Sequence, residues 1–251
     1  TPSRGSSGSR GSASRGSSPT KRLRTLALQD DGVEVRSLQR GARSLPASLR
    51  NMLDDFERIA GGRHILPGEN KAEFENEAEK DMSVSRFEGY HFAPAGARGK
   101  LGEVPSIARI KRIMSWAMHC QETAAHETTW NSAVHFPLLD MALYGEQSKS
   151  RPTCLLRDVV GSTKPAGAGI IQEYLPSQTG GEKVDFVMGI EPDAPAANAI
   201  NQLRRDMPFQ SINHTDLTAL STRPIVVSME TKRTGQSDQG AALQIGLWQA
   251  A

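Results

Sequence analysis

The stretch "RPIVVSMETKR", residues 223–233, joins a β-branched apolar run to a charged end and decides the fold class. Residues 225–227 have the composition of a strand built for a core. Side chains alternate between the two faces of a strand, so Glu230 and Lys232 are expected on one side and Thr231 on the other. The segment therefore predicts a strand that leaves the core with a carboxylate and an ammonium side by side.

A second stretch, "VDFVMGIEP" at 184–192, predicts another buried strand, opened by Asp185 where the first is closed by Glu230. A carboxylate at a buried strand end is costly unless it is paired. Lys232 offsets one negative charge, and a divalent cation with oxygen ligands offsets both. Such a metal polarises a phosphoryl oxygen and activates water, and a nearby lysine stabilises developing charge. The spacing thus supplies the parts for phosphodiester hydrolysis. A surface ion pair and a turn aspartate are the plain alternatives.

The rest of the chain has a recognisable order of elements. Leucines and other apolar residues at helical spacing predict a helix over 44–60, stopped by two glycines. Helical patterns follow from residue 105 to Gly145, with a kink or break at Pro137. Short strands are predicted at 153–160 and 168–175. A helix begins near Asp238, and we expect the chain to stop inside the domain.

Composition limits the partners. Residues 1–29 hold six basic residues and no acidic one, which leaves 24 basic against 28 acidic residues in the remainder. The tail repeats "SRGS" and is expected to be disordered. It either stays solvated or adds phosphate contacts, and its cluster Lys21–Arg24 suggests a nuclear or cytoplasmic protein. Two cysteines are too few for a disulfide framework or a zinc site. No stretch is apolar enough to predict a membrane span.

Five blocks together resemble the PD-(D/E)xK nuclease-like domain found widely in predicted fungal proteins. The blocks are "ETTWNSAVHFPLLDMAL" (127–143), "VDFVMGIEP" (184–192), "SINHTD" (211–216), "RPIVVSMETKR" (223–233) and "ALQIGLWQAA" (242–251). The resemblance implies an α/β fold, with a restriction-endonuclease-like core in which a central mixed sheet is flanked by helices. The disordered basic tail and a helical region would precede this core.

The resemblance also implies roles for five residues. Asp185 corresponds to the first aspartate of the motif, Glu230 to its (D/E) and Lys232 to its lysine. Glu127 is similar to the helical glutamate that often joins the metal site, and Gln244 occupies a place where many members carry a polar residue facing the site. Asp185, Glu230 and Glu127 would then bind Mg²⁺ or Mn²⁺. The implied partner is nucleic acid, with DNA favoured over RNA.

Three features depart from the family pattern. Val184 replaces the proline of the motif, the segment 193–223 must loop out between the two strands, and the chain ends at Ala251. We divide the chain into a basic tail (1–43), a helical extension and linker (44–104) and the nuclease-like domain (105–251). Two alternatives stay open, a degenerate nuclease fold that binds nucleic acid or protein without cutting, and a fragment that does not fold alone. The oligomeric state is also open.

Overall fold

The computed structural model describes residues 18–28, 32–35, 45–82, 84–97, 104–145, 170–174, 184–232 and 238–250. It has a mixed α/β fold. The helices are α1 (Pro19–Leu26), α2 (Ala47–Ala60), α3 (Lys71–Lys80), α4 (Ile107–Glu122), α5 (Glu127–Trp130), α6 (Phe136–Tyr144), α7 (Ala194–Leu203) and α8 (Asp238–Ala250). The strands are β1 (Leu66–Pro67), β2 (Phe92–Ala93), β3 (Phe186–Gly189) and β4 (Ile225–Met229). None of the described helices is long and apolar enough to cross a membrane.

Strands β3 and β4 form the antiparallel pair that positions the site. Phe186 lies opposite Met229, and the register shifts by a bulge between Met188 and Gly189. Strand β3 is buried, as its composition predicts. Strand β4 is less buried than we expected, because Val226 is 46% and Val227 40% exposed. Among the described residues β4 pairs only with β3.

The segment between β3 and β4 is structured. It contains α7, whose N-cap residue is Asp193. The Asp193 carboxylate accepts a hydrogen bond from the amide of Ala196 at 2.9 Å. Asn213 then holds the start of β4, since its Nδ2 donates to the carbonyl of Arg223 at 2.9 Å and its Oδ1 accepts from the amide of Ile225 at 3.1 Å. Asn213 therefore fastens the loop that precedes β4 to the first residue of the strand.

The predicted break at Pro137 is present as a change of helix type. Residues Asn131–His135 form a π-helix between α5 and α6, and Pro137 lies in the first turn of α6. Proline has no amide hydrogen to donate, so the regular helical ladder is interrupted on its N-terminal side. The π-helix buries Asn131 together with Val134. It thereby turns a polar side chain toward the interior of the domain.

Two apolar clusters of the described residues support this frame. The larger one packs β3 against α8 and the loop before β4, and its buried members are Ile170, Val184, Val187, Leu220 and Trp248. The second packs α4 against the α5–α6 unit, and its buried members are Ile113, Cys120, Val134 and Met141. Along α4 the cluster includes Ile110, Ile113, Ala117 and Cys120, which recur at spacings of three and four residues and explain the predicted helix.

The region before α4 also folds. Helix α2 confirms the predicted helix, and β1 and β2 pair in parallel across α3. Gly68 allows this pairing because a Cβ at that position would come within 2.4 Å of the carbonyl oxygen of Ala93. The predicted division of the chain at residues 104 and 105 stays a prediction.

The predicted strand at 168–175 is largely wrong. Within the described part of this stretch, residues 170–174, Ile170 alone makes a β-bridge, to Thr215, and Gln172–Tyr174 form a 3-10 turn. The apolar side chains of this stretch pack in the core cluster, and its described residues do not extend the β-ladder. The predicted strand at 153–160 lies outside the described residues.

His214 gives the fold a dependence on pH. Its ring packs edge-to-face on Trp248 with the ring centroids 4.4 Å apart, and its Nε2 is buried with no hydrogen-bond partner among the described residues. Burial lowers the pKa of His214. The unfolded chain therefore binds a proton more readily than the folded chain, and stability is lost as the pH falls through the unfolded pKa of about 6.5.

We expect His214→Phe to flatten this dependence. In urea unfolding at about pH 7.5 and about pH 5.5, the wild type should lose stability at the lower pH and the variant should lose less. The matched control is His119→Phe, at an exposed position. If the wild type and His214→Phe lost the same stability between the two pH values, His214 would not be the source of the pH dependence.

Candidate metal centre

Three carboxylates meet at one end of the β3–β4 pair. Glu127 lies in the first turn of α5, Asp185 immediately precedes β3 and Glu230 immediately follows β4. Because β3 and β4 are antiparallel and Phe186 faces Met229, the residue before one strand adjoins the residue after the other. One carboxylate oxygen from each residue lies within 4.8 Å of the other two. The topology itself therefore assembles the acidic centre.

Three hydrogen bonds hold the Asp185 carboxylate. It is 6% exposed, and its Oδ1 accepts from Asn131 Nδ2 at 3.0 Å. Its Oδ2 accepts from the Thr231 amide at 2.7 Å and from the Thr231 hydroxyl at 2.6 Å. Hydrogen bonds to the charged form stabilise a buried carboxylate. Asp185 is thus fixed in orientation, with a lone pair remaining on Oδ1 for a cation.

Asn131 is fixed in turn by His135. The Nδ1 of His135 lies 2.8 Å from Asn131 Oδ1, and the Thr231 hydroxyl lies 2.9 Å from the same oxygen. The amide end of Asn131 is then left to face Asp185. Burial lowers the pKa of His135, although the nearby Asp185 and Glu127 act in the opposite direction. A neutral His135 that donates from Nδ1 fits this arrangement.

Glu230 and Lys232 form an ion pair inside the centre. The Glu230 side chain is 3% exposed and that of Lys232 19%, and Lys232 Nζ contacts Glu230 Oε1. Burial raises the pKa of Glu230, and the neighbouring Asp185 and Glu127 raise it further, whereas Lys232 lowers it. Glu230 and Lys232 therefore do not form an exposed surface ion pair, which was the alternative interpretation of the sequence. The ammonium offsets one of three crowded negative charges.

The position of Thr231 corrects our expectation. Strand alternation placed Thr231 on the face away from Glu230 and Lys232, yet its amide and hydroxyl both bind Asp185. The reason is that β4 ends at Met229, so the alternation no longer applies two residues later. Neither Asn131 nor Thr231 was identified from the sequence. The one available signal was the spacing of Asn131, four residues after Glu127 on a helical pattern.

Gln244 lies half-buried in the middle of α8. Four residues later, Trp248 Nε1 donates to the Ser228 hydroxyl at 2.9 Å, which attaches α8 to β4. Residues four apart share a helix face, so Gln244 lies on the face that α8 turns toward β4. Its role at the site stays a prediction.

The donor set suits a hard divalent cation. Glu127, Asp185 and Glu230 offer carboxylate oxygens, and Mg²⁺ and Mn²⁺ prefer such ligands completed by water and substrate phosphate. Three crowded carboxylates with a single lysine also retain negative charge that a cation would neutralise. The residues present therefore fit the metal.

We expect Thr231→Val to weaken metal binding about tenfold while the protein stays folded. The variant removes one hydrogen bond to Asp185 Oδ2 and keeps the backbone amide bond, so Asp185 loses part of its orientation. Calorimetric titration of Mn²⁺ measures the change. Ser132→Ala is the control, since Ser132 is exposed and its hydroxyl donates to the carbonyl of Thr128 instead. Unchanged affinity in Thr231→Val would exclude this positioning role.

The mixed α/β fold and an acidic centre beside a lysine define a nuclease-like protein. The family model of the PD-(D/E)XK nuclease superfamily matches residues 73–251, and the chain belongs to this superfamily. No curated protein and no solved structure gives a significant match to the chain. Nucleases of this superfamily use divalent metals and act on nucleic acid, which agrees with the three carboxylates brought together here.

Proposed function

We propose that the protein hydrolyses phosphodiester bonds of nucleic acid in a reaction that depends on Mg²⁺ or Mn²⁺, with DNA as the substrate. The observation that carries this proposal is the convergence of Glu127, Asp185 and Glu230 within 4.8 Å, beside Lys232. The superfamily supports a nucleic-acid substrate. The choice of DNA over RNA and of the metal belongs to the proposal.

The roles of the chain's own residues follow from their positions. Glu127, Asp185 and Glu230 would hold the metal, which when bound polarises a phosphoryl oxygen and acidifies water. Glu230 must be deprotonated to bind it, and its raised pKa makes proton and metal competitors. Asn131 and Thr231 orient Asp185.

The Lys232 ammonium can interact either with Glu230 or with the reacting groups. The ammonium is paired with Glu230. Metal binding at Glu230 would weaken this pair, because the same carboxylate would then be shared. The released ammonium can donate to the attacking water or to a non-bridging phosphate oxygen. In the reaction the water oxygen bonds to phosphorus, the bond to the leaving ester oxygen breaks, and that oxygen takes up a proton.

The test is cleavage of supercoiled plasmid and of matched DNA and RNA oligonucleotides with added Mn²⁺ or Mg²⁺. We expect cleavage of DNA that EDTA stops and that excess metal restores. Folded protein that binds nucleic acid but leaves every substrate intact with either metal would contradict the proposal.

A second candidate is a nuclease fold that binds without cutting. The observation that favours it is charge, since residues 30–251 hold 24 basic and 28 acidic residues and a phosphate-binding surface needs positive potential. Binding that EDTA does not affect, without turnover, would support it. The nuclear or cytoplasmic location stays a prediction from the basic cluster Lys21–Arg24.

A further inference from the structure

The basic cluster near the N-terminus is part of a packed helix. Helix α1 carries Leu26, which is 3% exposed and forms a buried cluster with Leu243 and Leu247 of α8. Leu23 and Val33 pack against the same cluster. The segment from α1 to Val33 therefore covers an apolar face of the helix that follows the motif strand, although it lies outside the residues that match the family.

The contact between the two segments is close at both ends. A Cβ added at Gly246 would lie 2.7 Å from Val33 Cγ1, so a larger residue there would displace the segment. At the other end the Thr20 hydroxyl forms a hydrogen bond with the Gln239 side chain. Thr20 is thus near the start of α8 and Leu26 near its later turns. Helix α1 lies along α8 in the same direction.

Apolar and basic side chains of α1 lie on different faces of the docked helix. Leu23 and Leu26, three residues apart, share the face that contacts α8. Lys21 and Arg24, also three residues apart, are exposed on another face. The docked helix therefore presents two cations, while the chain beyond residue 29 carries more acidic than basic residues.

The chain length between the motif and α8 limits how far the start of α8, where Thr20 of α1 is bonded, lies from the metal centre. Gln239 follows Lys232 by seven residues, which extended chain spans in roughly 25 Å at most. Along the axis of a DNA duplex each strand carries one phosphate per about 3.4 Å, so a length of this size corresponds to about seven phosphates of one strand. Trp248 meanwhile fastens α8 to β4 through Ser228. A duplex of ordinary oligonucleotide length with one phosphate at the metal centre is therefore long enough to reach α1.

We propose that α1 is a docked phosphate-binding element, in which packing on α8 holds Lys21 and Arg24 against the backbone of the nucleic acid bound at the metal centre. The inference rests on the proposed function for its ligand. It differs from a loose basic tail in one respect: the charges act only while Leu26 and Val33 stay packed on α8. Binding should therefore depend on apolar contacts that touch no nucleic acid.

The experiment measures binding of a fluorescent DNA duplex in EDTA between about 50 and 200 mM salt. Lys21→Gln/Arg24→Gln removes two phosphate contacts and should make the slope of log K against log salt less steep by about 1.8. Between the two salt concentrations this variant should therefore lose about 12-fold less affinity than the wild type. Arg50→Gln/Lys80→Gln removes two cations from α2 and α3 as the matched control. It should show a wild-type slope.

The decisive variants keep both charges but remove the docking. Leu26→Gln and Gly246→Val should each give the slope of Lys21→Gln/Arg24→Gln, and Leu28→Gln, at an 87% exposed position, should match the wild type. Circular dichroism shows that each variant is folded. Wild-type slopes in both docking variants would overturn the proposal in favour of a flexible tail. So would a wild type that does not bind the duplex.

Failure of this inference is distinguishable from failure of the proposed function. Binding in EDTA requires no turnover, whereas cleavage is measured separately with Mn²⁺. A wild type that binds with the predicted docking dependence but never cleaves refutes the hydrolase proposal alone. A wild type that cleaves, with docking variants that bind as the wild type does, refutes this inference alone.

Discussion

Glu230→Gln is expected to lower the cleavage rate by about a thousandfold, since a bound metal contributes several kcal/mol to stabilising the transition state. The substitution removes a carboxylate whose side chain is 3% exposed and keeps its shape. It also leaves Glu127 and Asp185 without the third ligand. The measurement is kcat/KM on a labelled DNA oligonucleotide at a saturating concentration of Mn²⁺.

The control for this prediction is Glu122→Gln. Glu122 ends α4 and is exposed, so the same chemical change there should leave the rate within a factor of about two. Near-UV circular dichroism shows whether Glu230→Gln retains its tertiary packing. A folded Glu230→Gln protein that cleaves as the wild type does would remove Glu230 from the mechanism.

Lys232→Met should separate binding from turnover. We expect the cleavage rate to fall by about a hundredfold, because one donor to the developing charge is lost. Metal affinity should stay the same or increase, since the variant removes a cation that competes with the metal for Glu230. The expected pattern is therefore strongly reduced cleavage with unchanged or tighter Mn²⁺ binding.

Lys80→Met provides the matched control, because the Lys80 side chain is 72% exposed on α3. It should change neither rate nor metal affinity. Loss of Mn²⁺ binding in Lys232→Met would mean that the lysine holds the centre together instead of acting on the substrate. An unchanged rate would assign Lys232 to neutralising Glu230 alone.

The two strands that carry the site could be predicted because each combines a β-branched or apolar run with a charged end. Asp185 before β3 and Glu230 after β4 needed only the antiparallel register to meet. The location of Glu127 depends on more distant packing, since α4 and the α5–α6 unit must first bury their shared cluster. For Glu127 the sequence offered only the family resemblance.

The supporting hydrogen bonds could not be predicted, for a physical reason. Thr231 binds Asp185 because β4 ends at Met229, and the end of a short strand is set by its ladder partner instead of its own composition. Asn131 becomes buried because a π-helix rotates it inward ahead of Pro137. The docking of Leu26 on α8 joins residues more than 200 positions apart, beyond any local pattern.

The most direct test of the account is calorimetric titration of Mn²⁺ into the wild type and into Asp185→Asn/Glu230→Gln. We expect saturable binding to the wild type and none to the double variant, with both proteins folded. Equal binding by the two would place the metal elsewhere, and a folded wild type that binds no Mn²⁺ would contradict the claim that Glu127, Asp185 and Glu230 form a metal centre.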